Sequence, residues 1–249
     1  MIKVTNLAVS LSGREILKGI TFEVPRGSCA VIMGKNGSGK SVLLKTIAGL
    51  IARYDGVIEI NNLDLGDYRE SAGTGKDERS SMAYVFQRGG LFDSMSVFDN
   101  IAFGLRRQKL DEELIHGRVL ESLQRVGLLG NEGKLPSELS GGMQKRVGLA
   151  RALCQNPDII LYDDPTAGLD PVLSDSIADL MSEINRSFNT TSLVTTHDLK
   201  IARKIGNSIS LLYDGRFVFE DQADIFFQTD DPYARQFIAG KTKGPIDLY

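Results

Sequence analysis

The sequence predicts an α/β protein, and three stretches carry that prediction. Cys29-Ala30-Val31-Ile32-Met33 is a continuous apolar run, the pattern of a strand buried on both faces. It leads through a glycine-rich loop into a helical stretch marked by Leu43, Leu44, Ile47 and Leu50. Ile159-Ile160-Leu161-Tyr162 is a second apolar strand, and it ends in two aspartates. Residues 2–10 and 16–24 carry alternating or β-rich apolar patterns around a turn at Ser12-Gly13-Arg14, which predicts antiparallel strands.

The remaining elements follow in order. Gly56-Val57-Ile58-Glu59-Ile60 reads as a further strand, and the polar, Gly/Ser-rich residues 66–81 as a surface loop. Within that loop, Gly73-Thr74-Gly75-Lys76 looks like half a phosphate loop. It lacks the leading glycine, a hydroxyl residue after the lysine and a preceding strand, so it reads as a decoy. Residues 96–128 have helical spacing through Leu105, Leu114, Val119, Leu123 and Val126. A helix around 172–188 precedes the strand Ser192-Leu193-Val194-Thr195-Thr196, which stops at His197. Residues 208–220 predict a hairpin turning at Asp214-Gly215, and from Pro232 a short helix gives way to Gly/Lys/Pro-rich coil. The sequence has no internal repeat and no low-complexity segment.

Composition narrows the function classes. At 249 residues the chain is long enough for a full α/β core, and its 42% hydrophobic and 24% charged residues are ordinary for a soluble fold. A net charge of −3 and runs of mixed sign such as Lys76-Asp77-Glu78-Arg79 argue against a nucleic-acid-binding face. The two cysteines, Cys29 and Cys154, sit in apolar stretches without ligand spacing, so reduced buried thiols are expected rather than a disulfide or a metal site. Met1-Ile2-Lys3-Val4 opens no apolar signal core, and no run approaches the roughly 18–20 apolar residues a spanning helix needs. Work at a membrane would need another chain to supply the membrane span.

The chemistry is concentrated in Gly34-Lys35-Asn36-Gly37-Ser38-Gly39-Lys40-Ser41, which fits G-x-x-x-x-G-K-[ST] between a strand and a helix. Its glycines let backbone N–H groups turn toward phosphate oxygens, and the helix N-terminus adds positive potential. Lys40 is expected to reach the β- and γ-phosphates of ATP, and Ser41 to ligate Mg²⁺. Asp163, at the end of the second apolar strand, suits the Mg²⁺ water shell, and Asp164 is placed to orient an attacking water.

Further motifs carry a resemblance. Leu139-Ser140-Gly141-Gly142-Met143-Gln144 looks like the signature of ATP-binding cassette (ABC) proteins, and Asp163-Asp164-Pro165-Thr166-Ala167-Gly168-Leu169-Asp170-Pro171 like their Walker B and D-loop. Gln87 matches the Q-loop and His197 the switch histidine, and all the motifs occur once, in family order, over residues 1–220. The resemblance implies a RecA-like core with an antiparallel β-subdomain and a helical subdomain at about 90–155. It places one nucleotide-binding domain at 1–240 and a tail at 241–249. Gly34, Asn36, Gly37, Ser38, Gly39, Lys40 and Ser41 would hold one end of ATP. Ser140, Gly141 and Gly142 would meet the γ-phosphate held by a second cassette, which implies a dimer of identical subunits. Asp164, His197 and Gln87 would be catalytic, and Ser41, Gln87 and Asp163 would serve Mg²⁺.

Two positions depart from the family. Asp164 stands where a glutamate is usual, which predicts slower hydrolysis, and Leu11-Ser12-Gly13 holds no aromatic to stack on adenine. Phe86-Gln87-Arg88-Gly89-Gly90-Leu91-Phe92-Asp93-Ser94-Met95-Ser96-Val97-Phe98-Asp99-Asn100 resembles the ATPase subunit of Mla-type phospholipid transporters, as does the tail Arg235-Gln236-Phe237-Ile238-Ala239-Gly240 through Gly244-Pro245. That resemblance implies a transmembrane permease and an MCE-domain lipid-binding protein as partners, no nucleic acid, and a cytoplasmic place on the inner face of the cell membrane. An amino-acid or metal importer, or a nucleotide-dependent binding module with little turnover, are the alternatives.

Overall fold

A strand that is apolar along its whole length has to be covered on both faces, and the computed structural model, which describes residues 1–67 and 82–247, shows how that is done. In chain order the strands are β1 (Ile2–Leu11), β2 (Arg14–Val24), β3 (Cys29–Met33), β4 (Asp55–Ile60), β5 (Leu63–Asp64), β6 (Met82–Val85), β7 (Ile159–Asp163), β8 (Thr191–Thr196), β9 (Ser208–Tyr213) and β10 (Arg216–Gln222). Among the described residues, the α-helices with both ends described are α1 (Lys40–Ile47), α2 (Val97–Arg107), α3 (Glu112–Arg125), α4 (Gly141–Leu153), α5 (Pro171–Phe188), α6 (Leu199–Ile205), α7 (Ala223–Gln228) and α8 (Pro232–Ala239).

The described strands form two sheets. One is antiparallel, in the order β2-β1-β4-β5; the other runs β10-β9-β3-β8-β7-β6. In the second sheet β9, β3, β8, β7 and β6 are parallel, and only the edge strand β10 is antiparallel, as the second arm of the hairpin. All residues of β3, β7 and β8 are buried.

Period-two alternation divides the core. Ala30, Ile32, Ile159, Leu161 and Leu193 face the antiparallel sheet and α1, where they meet Ile2, Val4, Leu7, Ile20, Ile58, Leu43, Leu44 and Ile47. Val31, Met33, Ile160, Tyr162 and Val194 belong to the other core, with Ile177, Met181 and Ile184 of α5. That core continues into α2, α3 and α4 through Ile101, Leu105, Val119, Leu123 and Val147. Burying a Leu or Ile side chain is worth about 1.5–3 kcal/mol, so these two layers supply the main drive for folding.

Local chemistry sets the ends of the elements. The β1–β2 turn is Ser12-Gly13, both at positive φ (50° and 76°), and Arg14 already pairs with Leu11, so the turn is one residue shorter than the sequence suggests. Helix α1 stops ahead of Gly49 (φ 70°), which leaves Leu50 beyond the helix and 59% exposed instead of in its apolar stripe. The helical region at 96–128 is broken at Lys109 (φ 57°) into α2 and α3, and in α3 it is Ile115 that is buried while Leu114 is 46% exposed. Residues 65–67 are helical, so the first two residues of the expected loop, 66 and 67, belong to a helix; the rest of the stretch, including Gly73–Lys76, lies outside the described residues.

Two further features were not legible as order. Asn100, fully buried on α2, donates to the carbonyls of Phe92, Met95 and Ser96 and accepts from Phe92 N at 2.7 Å, which pins the loop before α2. The tail is docked rather than free coil. Gln236 Nε2 donates to Ile246 O at 3.0 Å, Ile246 N donates to Gln236 Oε1 at 2.6 Å, and Asp247 N donates to the Tyr213 hydroxyl at 2.8 Å.

Two predictions follow from this packing. Gln236→Ala is expected to lower unfolding free energy by about 2 kcal/mol in a denaturant titration, with faster amide exchange at Ile246, because buried polar partners are left unpaired. Both cysteines are buried and unpaired, and burial pushes each thiol up to about 12. At pH 8 a thiol reagent should label neither in the native chain and both after unfolding.

Candidate functional site

Three adjacent strands, β3, β8 and β7, end side by side, and each end carries a polar group, the arrangement from which open α/β sheets build ligand sites. β3 runs into Gly34–Ser41, β7 into Asp163 and Asp164, and β8 into His197.

The glycine loop has the shape its sequence implies. Gly37 and Gly39 hold φ of 81° and 106°, and a Cβ on Gly34 would stand 2.4 Å from Leu212 O, so no other residue fits there. Lys40 folds back over the loop, with Nζ donating to Gly34 O at 2.8 Å and Lys35 O at 3.0 Å. Burial pulls its ammonium below the usual lysine range, partly offset by the nearby Asp164 and Asp163 carboxylates. The Ser38 hydroxyl is buried and has no hydrogen-bond partner among the described residues. Backbone donors, a lysine ammonium and an orphaned hydroxyl in one concave loop suit a phosphate group.

Asp163 is the hub of the site. Its Oδ1 accepts from Ser41 Oγ at 2.7 Å and from Thr195 Oγ1 at 3.1 Å, and its Oδ2 accepts from the Tyr84 hydroxyl at 2.9 Å. Burial and the neighbouring Asp163 push the Tyr84 hydroxyl up, so it remains a donor. Asp164 lies in the left-handed region (φ 43°), which aspartate tolerates better than most residues. Its N donates to Thr195 O at 3.0 Å, and its Oδ2 stands 3.0 Å from His197 Nδ1. Thr196 Oγ1 donates to Asp164 Oδ1 at 3.4 Å.

Lys145 of α4 is the fourth buried charge. Lys40, Lys145, Asp163 and Asp164 are 8, 7, 6 and 7% exposed, and the fields of both aspartates reach both lysines. The result is a buried, charge-balanced group of two cations and two anions.

The other expected residues are spread over α4, the loop after β6 and the glycine loop. Ser140 caps α4, its Oγ accepting from Met143 N at 3.3 Å, and Gly141 and Gly142 form the first turn, against Leu169 and Leu173. Gln87 is exposed and accepts through its backbone carbonyl from Lys145 Nζ; its side chain makes no hydrogen bond among the described residues. Asn36 is exposed at the rim of the loop. His116, the other histidine, is exposed with its ring 5.5 Å from that of Phe98. Sequence reading missed Tyr84, Thr195 and Lys145. Thr195 had a signal, since a threonine inside a fully buried strand needs a partner; Tyr84 and Lys145 had none.

Comparison with known proteins agrees with this geometry. The ABC transporter family model matches residues 17–167. The chain is 40% identical over 248 residues to the probable ribonucleotide transport ATP-binding protein Mkl of Mycobacterium leprae, covering 99% of this chain and 71% of that protein. It is 36% identical over 247 residues to the intermembrane phospholipid transport system ATP-binding protein MlaF of Escherichia coli K12, covering 99% of this chain and 91% of that one. A solved dimeric ATP-binding cassette, described as a post-hydrolysis state bound to ADP and Pi, matches with a TM-score of 0.79 at 31% identity, over 90% of this chain and 99% of that chain. With a family match across more than half of its length and relatives aligned over nearly all of it, the chain is an ATPase cassette of the ABC transporter family.

Proposed function

We propose that this cassette hydrolyses Mg-ATP to drive a phospholipid transporter. The observation that carries the substrate class is the match to MlaF of Escherichia coli K12 over 91% of that protein, whereas the match to Mkl of Mycobacterium leprae leaves part of a longer chain uncovered. The name of Mkl favours a second reading, ribonucleotide transport, at the slightly higher identity of 40%.

In this reading Gly34, Asn36, Gly37, Ser38, Gly39 and Lys40 cradle the phosphates. Ser41 and Asp163, hard oxygen donors 2.7 Å apart, fit a Mg²⁺ site that Gln87 would complete. Bound there, Mg²⁺ would neutralise charge on the phosphates. Asp164 holds and polarises the attacking water, with His197 beside it to meet the γ-phosphate. Ser140, Gly141 and Gly142 serve the ATP of a second, identical copy, because an α4 N-terminus presents unpaired N–H groups. Residues 1–240 act as the nucleotide-binding domain, the lobe at about 90–155 meets a transmembrane permease, and 241–249 is a tail. An MCE-domain protein is the lipid-binding partner, and the cassette sits on the cytoplasmic face of the membrane through the permease. Among the described residues no helix is long and apolar enough to cross a membrane.

Asp164 sets the rate. Its carboxylate is one methylene short of a glutamate and is tied to His197 and Thr196. Steady-state phosphate release should fall by about 10²-fold or more in Asp164→Asn, which loses the general base. Asp164→Glu should turn over faster than the parent, by as much as ~10²-fold, because reach at the reacting centre is restored. A glutamate variant no faster than the parent sinks this account of the rate. The substrate class is tested by purifying the cassette with its permease and assaying ATPase in liposomes. Stimulation by phospholipid and transfer of a fluorescent phospholipid are expected; stimulation by ribonucleotides instead favours the second reading.

A further inference from the structure

The loop between β6 and α2 is fastened to α4 by charged side chains that reach its backbone. Lys145 Nζ donates to the Gln87 carbonyl. Arg151 donates twice, to Gly90 O at 2.8 Å and to Gly89 O at 2.9 Å. Three of the four carbonyls from 87 to 90 are therefore held by two cations of one helix. Residues 144, 145, 148 and 151 lie along one face of α4 at the spacing a helix requires.

The two backbones also touch. A Cβ on Gly148 would stand 3.2 Å from Gly89 O and 3.3 Å from Gly89 Cα, and a Cβ on Gly89 would stand 3.2 Å from Gln144 O. Gly89 and Gly90 hold φ of 72° and 60°, which turns their carbonyls toward the helix. A contact with glycine on both sides, closed by three charge-assisted hydrogen bonds, is tight.

Lys145 differs from Arg151 in where it lies. It is buried with its ammonium in the field of Asp164 and Asp163, while its hydrogen bond is spent on Gln87. One side chain therefore touches the loop and lies within the field of the carboxylates at the β7 end. We infer that Lys145 is a positioning residue for ATP hydrolysis: it fixes the Gln87 backbone to α4, so that loop 87–90 and the signature helix move as one body relative to the Asp163–Asp164 end of the sheet. The inference rests on the reading of Gln87 and Asp164 as site residues. Lys145 does not touch the nucleotide in this scheme; it determines where Gln87 stands when the helical lobe turns.

The test compares single-turnover ATP hydrolysis and ATP affinity in the full chain for the parent, Lys145→Met, Lys145→Arg, Gln87→Ala and Asp164→Asn. Lys145→Met keeps the length of the side chain and loses its donor. It should lower the hydrolysis rate by about 10-fold or more with little change in ATP dissociation constant, because a small displacement at the reacting centre acts on rate rather than on binding. It should also raise the Mg²⁺ concentration needed for half-maximal rate, and Lys145→Arg should recover most of both losses. A purely structural role would lower the melting temperature without that split. If Gln87→Ala and Asp164→Asn are slow while a folded Lys145→Met turns over at the parent rate, the inference is overturned and the site reading stands. If Gln87→Ala and Asp164→Asn hydrolyse like the parent, the site reading itself has failed. Should Lys145→Met not fold, Lys145→Gln takes its place, and failure of both to fold would make Lys145 a structural residue and overturn the inference.

Discussion

The structure depends on holding two lysines and two aspartates out of water at the carboxyl ends of adjacent strands. Burying one such charge alone is prohibitive, so two carboxylates whose fields reach both lysines balance the two cations, and each group finds hydrogen-bond partners. Asp163 meets three hydroxyls, Lys40 two carbonyls and Lys145 one carbonyl. Asp164 meets a histidine and a threonine hydroxyl. Those partners come from α1, β6 and β8 and from the loops that follow β3, β6 and β8, so the group exists only when all of them are in place. A phosphate entering the glycine loop would replace the carbonyls that Lys40 now holds and would add negative charge beside the aspartates, which is the imbalance a divalent cation can correct.

The apolar architecture is what makes that arrangement rigid. β3, β7 and β8 are covered on both faces, by the antiparallel sheet and α1 on one side and by α5 and the helical lobe on the other. Strands so enclosed cannot slip in register without turning their whole side-chain set to the wrong face. The ends of the strands therefore stand at fixed heights, and Asp163 meets Ser41 across 122 residues of sequence. The loop 87–90 is held differently, by hydrogen bonds from Lys145 and Arg151 of α4 rather than by the sheet.

Local pattern explains which features could be read from the sequence. Continuous apolar runs marked β3 and β7, the β-rich Ser192–Thr196 marked β8, and the glycine loop, Asp163, Asp164 and His197 follow directly at their ends. Tyr84 was not legible, because its role comes from β6 lying beside β7 with Tyr84 opposite Leu161, a pairing decided far along the chain. Lys145 was hidden for a related reason. A lysine in an ordinary helix pattern reads as surface, and only the glycine contact at Gly148 and Gly89 brings a loop over it. Leu50 and Leu114 were assigned to apolar stripes that a glycine stop and a one-residue shift in helical phase remove. The tail read as coil from its glycine and lysine content, whereas Gln236 clamps Ile246 from both sides.

The central claim is that the charged group at the ends of β3, β7 and β8 is the nucleotide site and that Lys40 is what lets it accept phosphate. Calorimetric titration of ATP into the parent and into Lys40→Met measures this most directly. The account predicts saturable, Mg²⁺-dependent binding by the parent and affinity at least about 10-fold weaker in the variant, since two aspartates would then face the phosphates with one buried cation fewer. Equal affinity in the two proteins, with both still folded, would contradict it.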